Sequence, residues 1–200
     1  MCQVTLPDIP TPQLMRQVTL LAALLIISQF SFARVNQGLP ETVSASMPAQ
    51  EMLSEIMGVV GLTANFELRE AKVANIQASI SHRKRYILYN PDYISWINNA
   101  TNDKWAAIAL MAHEVGHHLN GHTIRRSGSK PVLELEADEF AGFVLHKLGA
   151  SLEQAQEVML YIAETVPSRT HPSRTSRMLA IQQGWNKSAN SNAIIAKAKK

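Results

Sequence analysis

The chain has 200 residues, 46% of them hydrophobic and 18% charged, a globular composition that excludes a collagenous or wholly disordered protein. Lys and Arg number 19 against 16 Asp and Glu, and that net charge of +3 is too small and too scattered to predict nucleic-acid binding. With Cys2 as its one cysteine, the sequence also excludes a disulfide scaffold and a cysteine-based zinc finger.

Taken in chain order, the first segment reads as an address. Arg16 precedes the apolar run Val18 to Ile27, and the stretch ends at Ser31-Phe32-Ala33. A basic residue, an apolar core and a small-x-small site are the three parts of a secretory signal peptide. A bilayer span takes about 20 apolar residues, more than this run offers. The expectation is a signal peptide over 1–33, cut near Ala33, and a periplasmic or secreted protein. The competing expectation is an uncleaved segment that tethers the chain to a membrane. Asp8 and three prolines make residues 1–14 a poor leader, so Met15 reads as the true start. The exported part then contains no cysteine, which suits an oxidising compartment.

Residues 34–48 mix Gly, Pro, Ser and Thr and read as an irregular lead-in. Apolar residues at helical spacing predict a helix over Gln50 to Val60. Phe66 to Asn90 is rich in β-branched and aromatic residues and predicts two or three short antiparallel strands, with Ser81 to Lys84 between runs. Pro91 opens a short helix through Trp96. Asp103 caps a long helix to about Asn120, and Ser127 to Pro131 is a loop. Leu133 to Leu148 is helical and stops at Gly149. Ser151 caps a helix to about Thr165, and a last one follows Pro172 and ends near Gly184. Tyr86, Tyr89 and Trp96 read as core. The expected fold is α+β and mostly helical, with a small antiparallel sheet. One domain covers 49–185, and a polar, basic tail covers 186–200.

The long helix carries His113-Glu114-Val115-Gly116-His117. Histidines at i and i+4 share a helix face, so both rings can reach one metal ion. Glu114 stands where it can take a proton from a water activated by that metal. A shuffled chain of this composition shows the H-E-x-x-H pattern on the order of 0.01 times. Ala106, Leu110, His113 and His117 form one stripe, so the histidines extend an inward face. His118 and His122 fall off that stripe and read as surface, capping or supporting groups. A catalytic zinc needs a third protein ligand. On the next helix, Glu134 is the carboxylate nearest the apolar stripe and Asp138 follows one turn later. Glu134 is therefore the expected ligand and Asp138 the carboxylate that steadies a ligand histidine. Glu139 belongs to the solvated face.

H-E-x-x-H followed by E-x-x-A-D on the next helix resembles the HtpX-like and prenyl-protein endopeptidase family of zinc metallopeptidases, including its exported BepA-type members. A third element of that family, H-P-x-x-x-x-R, is present as His171-Pro172 through Arg177. The resemblance spans roughly Phe66 to Gln183. It implies a zincin-like domain with one Zn2+ held by His113, His117 and Glu134, Glu114 as base, and His171 and Arg177 in the active site. The chain departs from the family in being short, with neither the multiple membrane helices of one branch nor a repeat domain after the catalytic unit.

The resulting expectation is an exported zinc metalloendopeptidase that hydrolyses peptide bonds of unfolded or misassembled envelope proteins. Its partner is a protein or peptide substrate, bound along a strand edge around Ala74 to Ser79. Arg177 or His171 would donate to the developing oxyanion. The alternative is a zinc-stabilised, latent binding module whose site His171 closes.

Overall fold

The computed structural model of the chain describes residues 47–124 and 130–198. The signal segment, the lead-in to residue 46 and most of the loop expected from Ser127 to Pro131 lie outside the described residues. The first helix, α1, is Ala49–Val60 and buries Met52, Leu53, Ile56 and Met57, the one-sided spacing that predicted it.

Three strands follow: β1 is Glu67–Glu70, β2 is Ile76–Ser81 and β3 is Lys84–Tyr89. They form one sheet in the order β1-β3-β2. β2 and β3 are an antiparallel hairpin with Ala78 opposite Ile87. Its turn residues His82 and Arg83 both take positive φ, 49° and 64°, the sense that matches the twist of a two-residue hairpin. β1 instead runs parallel to β3, with Leu68 opposite Ile87. The sheet is therefore mixed, which corrects the expectation of a wholly antiparallel one. β2 returns along the far side of β3, so β3 runs in the same direction as β1.

Helix α2, Pro91–Thr101, is capped by Asn90, whose Oδ1 accepts the Asp92 N–H at 2.9 Å. It continues a turn beyond the expected end at Trp96, and Trp96 itself is 49% exposed rather than core. Tyr86 and Tyr89 are half-buried. Helix α3, Trp105–Leu119, begins where Asp103 Oδ1 accepts the Trp105 N–H at 2.9 Å. It is buried on almost every side: Ala106, Ala107, Ile108, Ala109, Met111, Ala112 and Val115 all lie inside. A helix enclosed on nearly all sides is apolar or small all round, and this one has four alanines among its buried residues.

A 3-10 turn over His122–Ile124 follows, and then α4, Pro131–Leu148. Ser151 and Gln154 cap one another at the start of α5, Leu152–Glu157. The helix expected to reach Thr165 is two pieces, α5 and the short α6, Met159–Ile162, which ends where Ala163 turns to extended backbone. The last helix, α7, is Arg174–Ala198. It does not stop near Gly184, so residues 186–198 of the expected tail are helical. The reason lies in packing: a Cβ at Gly184 would stand 1.8 Å from the Glu139 carbonyl oxygen, and one at Gly142 would stand 2.0 Å from that of Ile181. These glycines let the backbones of α4 and α7 touch. Gly184 marks a contact inside the helix. The close approach carries Arg177 to the inner face of α4.

Candidate metal centre

His113 and His117 stand on successive turns of α3 with their Nε2 atoms 3.0 Å apart and their rings edge to face. Helix α4 brings Glu134 to the same point. Its Oε2 lies 3.4 Å from His113 Nε2 and its Oε1 lies 3.7 Å from His117 Nε2. Three donors, each about 2.1 Å from one ion at tetrahedral angles, stand about 3.4 Å from one another. The observed separations bracket that value. His113, His117 and Glu134 thus form a group that could hold a metal ion. Gly116 keeps the meeting of the two helices close, since a Cβ there would press Phe140 at 3.0 Å and the Ala137 backbone at 3.3 Å.

Behind His113 lies a fully buried carboxylate. Asp138 Oδ1 is 2.8 Å from His113 Nδ1. A carboxylate accepts, so His113 carries its proton on Nδ1 and turns Nε2 toward the other donors. Arg177 then grips Asp138 with two prongs, Nε to Oδ2 and a terminal nitrogen to Oδ1, both at 2.7 Å. Arg177 was one of the two groups, with His171, expected to donate to the oxyanion. Its guanidinium is buried on Asp138 instead, so it acts through that carboxylate.

Charge follows from these contacts. Burial pulls the His113 pKa down, but the charge and hydrogen bond of Asp138, with Glu134 and Glu114, overcome it and raise it to about 10. For His117, burial and the neighbouring His113 win, and the pKa is lowered to about 4. The two rings together accept one positive charge readily and refuse a second. Asp138 is buried, yet His113 and Arg177 hold it below the ordinary carboxylate range.

Glu114 faces the same space. Its Oε2 accepts the Ala78 N–H of β2 at 2.6 Å. Burial raises its pKa to about 7, against the pull of His113 and of that N–H. β2 is a sheet edge, and Ile76, Gln77 and Ala78 wall a cleft of about 540 Å³ above His113, Glu114, His117 and Glu134. His171 lines this cleft as well, exposed, with Nδ1 2.9 Å from Thr170 Oγ1. It stands outside the three-donor cluster.

Two histidines have environments that periodicity did not reveal. His118 is buried, stacks on Phe66 at 4.9 Å between ring centres, and has Nε2 2.9 Å from the Tyr86 carbonyl. It ties α3 to the sheet. His122, in the 3-10 turn, is also buried and lies against His117. Neither is a surface group. His122 lies past the end of α3, where a helical wheel no longer predicts direction.

Comparisons with protein-family models, with curated proteins and with solved structures each gave no match.

Proposed function

We propose that the chain is a zinc-dependent metalloendopeptidase that hydrolyses peptide bonds in extended polypeptide segments. The observation that carries the reading is the convergence of His113, His117 and Glu134 on one point, with Glu114 beside them. The donor set is that of a catalytic zinc with two nitrogens and one carboxylate, and it leaves a coordination position for water. A zinc ion held there supplies Lewis acidity, making water a nucleophile near neutral pH and polarising a peptide carbonyl.

The protein's own groups supply the remainder. Glu114, with a pKa raised to about 7, is matched to accepting the water's proton and returning it to the departing amine. The Ala78 N–H holds its carboxylate against the strand. Among the described residues no strand pairs with the outer side of β2, and beside the cleft it suits an extended peptide, whose backbone can pair with the strand whatever its side chains. His171, which lines the cleft, is the group this reading assigns as donor to the oxyanion. Unfolded or misassembled envelope proteins are the substrates that an exported enzyme of this kind meets. The basic residue, apolar core and small-x-small site before Arg34 support export.

The test is Glu114→Gln in the zinc-loaded protein, assayed on an unfolded polypeptide. Hydrolysis should fall by about 1,000-fold or more while zinc content and melting temperature stay at native values. Undiminished hydrolysis by Glu114→Gln, or none by the native zinc-loaded protein, contradicts the proposal.

A further inference from the structure

His113 is oriented by Asp138, but among the described residues the distal nitrogen of His117 meets a histidine rather than a carboxylate. That nitrogen, Nδ1, lies 2.9 Å from Nδ1 of His122, and Nε2 of His122 lies 2.8 Å from Oε2 of Glu136. With His122 neutral, donor chemistry gives the chain Glu136–His122–His117 one direction. The Glu136 carboxylate accepts only, so the nitrogen facing it, His122 Nε2, must carry hydrogen. A neutral imidazole has one N–H, so His122 Nδ1 is a bare acceptor. His117 Nδ1 must then be the donor, and His117 Nε2 is left with a free lone pair. That is the nitrogen 3.0 Å from His113 Nε2 and facing Glu134.

We infer that His122, oriented by Glu136, is a positioning residue that fixes the tautomer of His117 and so presents its Nε2 to a metal ion. The inference rests on His117 as a metal ligand and goes beyond that reading in assigning His122 and Glu136 a role. The His122 side chain is 3% exposed, so solvent does not replace it as the acceptor. Glu136 is half-exposed at 53% and acts from the rim. The two ligand histidines are thus held by different devices, a buried carboxylate clamped by Arg177 for one and a histidine relay for the other. Both carboxylates come from α4, two residues apart, while Glu134 on the same helix reaches the metal point itself.

The experiment reads the proton directly. In the native metal-free protein at pH 7.5, two-bond 1H–15N correlations of the histidine rings should place the His117 proton on Nδ1, against the Nε2–H form that free imidazole side chains prefer. His122→Phe keeps a ring but removes the acceptor. It should lower zinc affinity by roughly 10- to 100-fold in a chelator competition, while the metal-free protein stays folded. His122→Asn, whose carbonyl oxygen can stand where Nδ1 was, should recover most of that loss. A His117 proton on Nε2 in the native protein overturns the inference, as does native zinc affinity in His122→Phe. Where His122→Phe fails to fold, the native tautomer decides alone. A native protein that takes up no zinc overturns the metal reading instead, while the ring measurement still decides this one.

Discussion

Asp138 is the residue on which most of the site's electrostatics turn. It carries no exposure and answers both His113 and Arg177. Removing one partner of a buried ionic cluster strands the other. Asp138→Asn should therefore cost about 3–5 kcal/mol of stability in the metal-free protein, read by urea denaturation. It should also weaken zinc binding by roughly 10- to 100-fold. The pH dependence follows from His113. Its pKa is about 10 in the folded chain and about 6.5 unfolded. Its stabilising contribution is fully present below about pH 6.5 and is lost as pH rises toward 10. His117, lowered to about 4, has finished titrating by pH 7, while Glu114, raised to about 7, is still losing its proton up to about pH 8 and adds to the fall. Between pH 7 and 9 the denaturation midpoint of the metal-free chain should fall, while that of the zinc-loaded chain stays level, because metal replaces the proton. A level midpoint in both forms counts against the His113 assignment. The positions of Glu134 and Asp138 were legible in the sequence because both sit within the regular turns of one helix. The contacts of Arg177 and His122 were not, because each depends on where a separate element docks.

At the scale of elements, the pairing of α4 with α7 decides whether Arg177 reaches Asp138. Gly142→Ala would set a methyl 2.0 Å from a backbone oxygen that no rotamer change can move. The helices must part, at a cost of about 2–3 kcal/mol or more, and zinc affinity should weaken with the loosened clamp. Denaturant unfolding and chelator competition on the same variant measure both effects; native values for both would mean that the contact is slack. Gly184 misled the sequence reading for the same reason. A glycine after an apolar stripe reads as a helix stop, and only the neighbouring backbone distinguishes a stop from a contact. The strands were legible from β-branched and aromatic runs, but their directions were not. A four-residue strand such as β1, with Leu68 alone half-buried and its other residues exposed, carries no pattern that separates a parallel from an antiparallel partner.

For the whole molecule, the helical α+β architecture was legible because long periodic segments dominate the chain. The central helix α3 is enclosed, the edge strand β2 borders the cleft, and α4 and α7 close the site from behind. Among the described residues no helix is long and apolar enough to cross a membrane. The account stands on three donors from two helices meeting at one cation-sized point. The most direct test is the zinc content of the purified protein by elemental analysis, beside His113→Ala and Glu114→Gln. The account predicts about one zinc per chain in the native protein and in Glu114→Gln, and a loss of zinc in His113→Ala. A native chain that remains metal-free after zinc is offered, or a His113→Ala variant that binds as the native does, would contradict it.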